Sequence, residues 1–223
     1  KDGINYLNDT SVVLQIVAPF KNYIYVVGDF SNWEYDSKYY MKRTPAGDRY
    51  WLQINGLTKG KEYRFQYSID DEAMRVADVY SDKILDPWND KWIDNSTYPN
   101  LTPYPTGKTT YPVSVLHPGE QPYPWDNSIS YTKPAKENLI VYELLIRDFV
   151  ETHKYRTVAD SIKYFKNLGI NAIQLMPIME FEGNESWGYN PMFFFAPDKY
   201  YGSKDDLKYL VEECHKHDIA VIL

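Results

Sequence analysis

The chain has 223 residues, 43% of them hydrophobic and 25% charged, with a formal net charge of −7. This is a globular composition, neither disordered nor fibrous, and its acidity excludes a nucleic-acid partner, which needs a basic patch or stripe to neutralise phosphates. One cysteine, Cys214, excludes an internal disulfide framework, and no apolar run approaches the roughly 20 residues of a membrane helix.

From Ser11 to about Ser68 the pattern is short strands and turns. Val12–Ala18, Tyr23–Val27, Tyr50–Ile54 and Glu62–Ile69 are rich in β-branched and aromatic residues. Pro19, Gly28–Asn32, Pro45–Asp48 and Asn55–Gly60 punctuate them. Several strands at this spacing, with no helical periodicity between them, predict an antiparallel sandwich. The stretch 81–134 then interleaves prolines with Trp88, Trp92, Tyr98, Tyr104, Tyr111, Tyr123 and Trp125. Proline removes backbone donors, so long regular elements are not expected there. A disordered linker would lack those rings, so the stretch reads as an ordered connecting strap.

The period changes at Leu139. Leu139–Ile146 reads as a buried strand. Thr157 and Asp160 have the spacing of a helix cap, and Val158, Ile162, Phe165 and Leu168 recur along one helix face. Gly169 is the stop, and Ile170–Leu175 is a second buried strand. Ser203 and Asp206 repeat the cap, Leu207, Leu210, Val211, Cys214 and His217 form the next apolar face, and Ile219–Leu223 is a third strand. Strand, helix, strand, helix, strand predicts parallel strands. Three strands cannot close a barrel, so this part is expected to be the less stable one, with open edges. Lys1-Asp2 at one end and a buried strand at the other suggest a sequence trimmed at both ends.

Gly28-Asp29-Phe30-Ser31-Asn32-Trp33, with the later Glu62-Tyr63-Arg64-Phe65, resembles the isoamylase-type N-terminal modules that precede amylases and branching enzymes. The resemblance implies that Trp33 stacks on glucose and that Arg64 bonds to hydroxyls. A second tryptophan implied in the next turn is replaced by Asp70-Asp71-Glu72-Ala73-Met74. Val141–Phe149 and Gly169–Ile178 resemble the first two barrel strands of the alpha-amylase family of glycoside hydrolases. Trp187-Gly188-Tyr189-Asn190-Pro191 resembles the loop that delivers a tyrosine to the glucose at the bond being cleaved, which makes Tyr189 the leading candidate for substrate contact and Trp187 a candidate for a neighbouring subsite.

The expected fold class is therefore multidomain: an all-β immunoglobulin-like sandwich (1–80), the connecting segment (81–134), and an incomplete α/β, TIM-type barrel portion (135–223). The implied activity is retaining cleavage of α-1,4-glucosidic bonds in starch-like polysaccharides, with α-glucan as the partner. A pullulanase, a branching enzyme or a non-catalytic α-glucan-binding module are the alternatives. Retaining glycosidases use two carboxylates about 5–5.5 Å apart; the resemblance assigns them to later barrel strands, so no catalytic residue is expected here and the chain is expected to be inert. No cofactor is expected in this chain, since the calcium common in the family would take its ligands from other segments. The polymeric, extracellular nature of starch points to a secreted or periplasmic parent, although no segment here carries that instruction. Glu143 and Arg147 read as a structural pair on the first strand, and Glu180, Glu182 and Glu185 as acids that border the cleft or face solvent. Glu213, Cys214, His215 and His217 lack the i, i+4 histidine spacing of a helical zinc site.

Overall fold

A computed structural model describes residues 1–70 and 75–223. They form two compact units: Lys1–Lys91 with Thr102–Gln121 and Phe193–Ala196, and Trp92–Leu101 with Pro122–Met192 and Pro197–Leu223. The turn in which the resemblance implies a second tryptophan lies, at 71–74, outside the described residues.

In the first unit β1 (Gly3–Asn8), β2 (Ser11–Val17), β3 (Ile24–Gly28), β4 (Lys42–Arg43), β5 (Arg49–Asn55), β6 (Tyr63–Ile69), β7 (Arg75–Val76), β8 (Ile84–Leu85) and β9 (Val113–Leu116) follow in chain order. One sheet has the order β1-β2-β5-β4 and another β3-β6-β9-β8, with β7 on β6. Every pairing among them is antiparallel. The register places Val12 opposite Ile54 and Leu14 opposite Leu52, so alternate residues of both strands point to the same face. These meet Ile24, Val26, Phe65 and Tyr67 of the other sheet in one buried cluster, each such side chain contributing about 1.5–3 kcal/mol by leaving water. β2, β3, β5 and β6 start and stop within one residue of the segments rich in β-branched and aromatic residues. The stretch 81–134 holds β8 and β9, two short strands that complete the second sheet.

Gly28 ends β3 where a side chain cannot fit: a Cβ there would lie 2.3 Å from the Arg64 carbonyl oxygen and 2.9 Å from the Phe65 Cβ. The chain then turns through two left-handed residues, Asn32 and Trp33, and the Trp33 amide donates back to the Gly28 carbonyl at 2.9 Å.

The second unit contains β10 (Val141–Leu144), α1 (Ile146–Phe149), α2 (Tyr155–Asp160), α3 (Ile162–Leu168), β11 (Ala172–Leu175), β12 (Met179–Phe181), the ends of β13 (Pro191–Pro197), α4 (Lys204–Lys216) and β14 (Ala220–Ile222). β10, β11 and β14 make a parallel sheet in that order, and no closed barrel is formed among the described residues. Its buried cluster joins Leu144, Ile173, Leu175 and Ile219 to Val158, Ile162, Phe165, Leu210 and Cys214 of the helices. Burial pushes the Cys214 thiol up to about 12, with Glu213 adding to it, so this sulfur behaves as a core hydrophobe. Ser203 and Asp206 form the expected reciprocal cap of α4, and Gly169 (φ 76°) and Asp218 (φ 54°) take the left-handed stop positions.

Four local expectations differ from the structure. The helix expected behind a Thr157 cap starts instead at Tyr155, as α2; the Thr157 hydroxyl is bonded to that of Thr152 at 2.7 Å. It is broken after Asp160, where Ser161 donates its hydroxyl back to the Thr157 carbonyl at 3.2 Å, an alternative to helical bonding that serine offers readily. The break rotates Leu168 off the buried face, leaving it half exposed. The first strand ends at Leu144, so Arg147 falls on α1 and pairs with Asp148, while Glu143 accepts from Gln174 at 2.9 Å. His217, assigned to the apolar face of α4, is exposed at its C-cap.

Candidate functional site

The C-terminal ends of parallel strands are where α/β folds place their sites, and here β11 runs directly into the chain that carries Trp187 and Tyr189. β12 and β13 form a two-stranded sheet, bounded below by the Asp198 amide donating to the Ile178 carbonyl at 2.8 Å and above by the Glu182 amide donating to the Asn190 carbonyl at 3.3 Å. The loop between them is tied internally: the Asn190 side-chain amide donates to the Glu182 carbonyl at 3.2 Å, and the Gly188 amide to the Ser186 hydroxyl at 3.0 Å.

Gly188 seats this loop. It is buried with φ 84°, and a Cβ on it would lie 2.3 Å from the Pro177 carbonyl oxygen. Backbone therefore packs on backbone at the end of β11, and the two flanking side chains are turned outward. Trp187 is 62% and Tyr189 68% exposed. Two rings displayed on a fixed loop can stack on the CH-rich faces of sugars.

Beneath the loop lies a buried polar base that the sequence pattern did not reveal. Glu180, expected to border the cleft or face solvent, is buried and ion-paired with the equally buried Lys199. Its place on β12, not in a loop, is the reason. Asp198 accepts from the backbone amides of Phe181 at 3.2 Å and Tyr200 at 2.8 Å. Glu182 and Glu185 are exposed. Nearby in the unit, His153 stacks on Tyr200 with ring centroids 4.5 Å apart, and burial lowers its pKa from the ordinary histidine value. Among the described residues no group of three or more His, Cys, Asp or Glu is placed to hold a metal ion, and no helix is long and apolar enough to cross a membrane.

The other two candidates, Trp33 and Arg64, belong to the first unit and meet through Asp29. Arg64 donates Nε to Oδ2 and Nη2 to Oδ1 of Asp29, both at 2.9 Å, and its backbone amide donates to Oδ2 at 2.9 Å. Its remaining nitrogen, Nη1, donates to the Pro103 carbonyl at 2.8 Å. The Trp33 indole N–H donates to Asp29 Oδ1 at 3.1 Å, and the ring is only 5% exposed. Asp29 is thus the centre of this arrangement, and its partner Arg64 lies too far along the chain for any local pattern to signal it.

Burial alone would raise the Asp29 pKa, but the hydrogen bonds from Arg64 and Trp33 outweigh it and hold the carboxyl below the ordinary range. A folded pKa below the unfolded value of about 3.9 means that the ionised form stabilises the native state. That contribution is full above pH ~4 and drains away as pH falls through the lowered value. Acid titrations of the first unit are expected to show a steep loss of stability below pH ~4 that is flatter in Asp29→Asn; equal slopes in the two proteins would refute the assignment.

Residues 151–223 match the family model described as alpha amylase, catalytic domain. The chain is 34% identical over 159 residues to the malto-oligosyltrehalose trehalohydrolase of Saccharolobus solfataricus, covering 70% of this chain and 26% of that protein. It is 30% identical over 222 residues to the 1,4-alpha-glucan branching enzyme GlgB of Saccharophagus degradans, covering 92% and 27%. It thus spans about a quarter of the length of these curated relatives. Among solved structures, Group B Streptococcus pullulanase SAP in complex with maltotetraose superposes with a TM-score of 0.73 at 17% identity, covering 100% of this chain and 33% of that one. Pullulanase type I from Bacillus subtilis, complexed with maltose, gives 0.69 at 21%, covering 99% and 32%. At such identities these two likenesses speak for the fold.

Proposed function

The chain belongs to the alpha-amylase family, and from that premise we propose that its parent acts on the α-1,4-glucosidic bonds of starch- or glycogen-like polysaccharide by a retaining mechanism. The observation that carries this reading is the rigid Trp187-Gly188-Tyr189 loop at the end of β11, inside the segment that matches the catalytic domain. In this reading Tyr189 stacks on the sugar whose ring flattens towards the oxocarbenium-like transition state, and Trp187 lines the next subsite. The catalytic carboxylates come from elsewhere in the parent, and the 223-residue chain alone is inert. The first unit is an immunoglobulin-like sandwich in which Asp29, Arg64 and Trp33 fix the Gly28–Trp33 loop rather than grip sugar.

A second reading, transfer rather than hydrolysis, is favoured by the relatives that align along 92% or more of the chain, which are branching enzymes. The intact protein incubated with amylose separates the two. New reducing ends indicate hydrolysis, and new α-1,6 linkages without them indicate branching; if neither forms, the family reading of function fails. Tyr189→Ala in the intact protein is expected to lower kcat/KM by about 10–100-fold through lost positioning. The chain by itself is expected to release no reducing sugar, and turnover that survives repurification would refute its inertness.

A further inference from the structure

A cleft of about 80 Å³ lies wholly within the second unit, lined by Ser96, Thr97, Lys154, Arg156, Tyr201 and Asp206. It uses neither Trp187 nor Tyr189. Its size is well above the ~10–15 Å³ that admits one water and far below the ~300–1,000 Å³ of ordinary small-molecule sites. It therefore suits a small polyatomic ion or a single terminal group. The local sequence explains why two cations reach it. Lys154 is extended, with φ −111°, and Tyr155 opens α2. The Tyr155 ring is fully buried, edge-on to Tyr201 with centroids 5.8 Å apart. With Tyr155 drawn into the core, Lys154 and Arg156 on either side of it stay at the surface of the unit, half-buried and exposed respectively, and line the same cleft.

The lining is rich in donors, and its acids are already committed. Lys154 Nζ donates to the Ser96 hydroxyl at 2.7 Å, and Ser96 donates on to Asp94 at 2.6 Å, which leaves two ammonium hydrogens. Arg156 engages Asp206 through Nε and lies over the Tyr209 ring at 4.4 Å, so its two terminal nitrogens remain as donors. Tyr201 is 1% exposed, and its hydroxyl has no hydrogen-bond partner among the described residues, a costly arrangement in a protein interior. Buried Thr97 adds a second hydroxyl. Asp206, besides Arg156, accepts from the Ser203 amide at 2.9 Å and the Ser203 hydroxyl at 2.7 Å. Asp94, beside Lys154, accepts from the amides of Ser96 at 2.7 Å and Thr97 at 2.9 Å. The Ser96 hydroxyl and these amides hold its carboxyl below the ordinary range. Such a set repels a cation. Two cationic donors with two hydroxyls match the several oxygens of a tetrahedral oxyanion better than the two of a planar carboxylate.

We infer that this cleft binds a phosphoryl group, that of free phosphate or of a small phosphomonoester, with Lys154 and Arg156 supplying the charge and Tyr201 and Thr97 neutral hydrogen bonds. The site stands apart from whatever the parent does to glucan. Titration calorimetry of the full chain with inorganic phosphate at low salt tests it, with phenyl phosphate as the ester and acetate as the planar anion. Lys154→Gln and Arg156→Gln are each expected to weaken phosphate binding by about tenfold or more. Tyr201→Phe, which keeps the ring in the core and removes only the hydroxyl, should weaken it by about threefold or more. Lys163→Gln, an exposed cation on α3 of the same unit, should remain within about twofold of the unmodified chain. Phenyl phosphate bound at least as tightly as phosphate makes an ester the ligand; phenyl phosphate bound more weakly makes it the free ion. A chain that binds neither overturns the assignment. So does acetate bound as tightly as phosphate, unchanged affinity in any of the three cleft variants, or an equal loss in Lys163→Gln, which would reduce the effect to general charge attraction.

Discussion

Lys199→Met is expected to destabilise the second unit by about 3–5 kcal/mol, the usual cost of removing one partner from a buried ion pair. Lys199 and Glu180 are 2% and 3% exposed, so solvent screens neither of them. The lysine ammonium is what makes an ionised carboxylate tolerable beside β12. Without it the glutamate must either remain charged in a poorly polarisable surrounding or take up a proton, and both choices weaken the folded state. Against a total domain stability of ~5–15 kcal/mol, such a loss is a large fraction. Urea unfolding followed through the second unit measures it. Lys199→Met combined with Glu180→Leu is expected to recover most of the loss, because replacing a buried pair by apolar groups of similar volume is often neutral. If the double variant is as unstable as the single one, packing rather than charge is what Lys199 supplies.

Gly188→Ala is expected to cost about 2–4 kcal/mol locally and to swing Trp187 and Tyr189 out of place. Two penalties add. A left-handed backbone at φ 84° disfavours any Cβ, and here that Cβ would stand 2.3 Å from the Pro177 oxygen and 2.8 Å from the Pro177 Cβ. Neither neighbour is the tip of a flexible chain, so the loop itself must lift. Gly183 in the same loop is the internal control: its φ is 82°, but nothing lies within 4 Å of the added atom. Gly183→Ala should therefore show the backbone penalty alone, about 1 kcal/mol. Hydrogen exchange of residues 182–190 reads the difference. Equal protection in the two variants would mean that the contact with Pro177 does not hold the loop.

Much of the fold was legible because runs of β-branched and aromatic residues bounded by turn residues are a strong strand signal. β2, β3, β5 and β6 each pair through residues of that kind, and the parallel strands and the Ser203 cap were legible for comparable reasons. β8 and β9 were not. Ile84–Leu85 is too short to show a period, and Val113–Leu116 is buried on both faces between Pro112 and Pro118, so no alternation remains to be read. The candidate loop was legible as a motif, and its two rings are indeed displayed. What held each candidate was not legible. Asp29 is held by Arg64, 35 residues along the chain, and Lys199 pairs with Glu180, 19 residues back on β12, and the spacing of side chains along one chain carries no trace of such contacts.

The position of β9 bears on how the molecule is made. Tyr63 on β6 pairs with Leu116 on β9, a partner that leaves the ribosome about 50 residues later, or ~3–10 s at ordinary rates of synthesis. During that interval the β6 edge at Tyr63–Phe65 presents unpaired amides and carbonyls to the cytosolic milieu or to whatever machinery receives the nascent chain. Arg64 and Gln66 later take hold of Pro103, Tyr111 and Pro112 from the same stretch. The first unit therefore cannot mature as its strands appear one after another; it waits for a late arrival to close its sheet. A pause in translation between residues 70 and 113 would prolong exposure of that edge, and slow decoding there would raise the yield of aggregated rather than folded product.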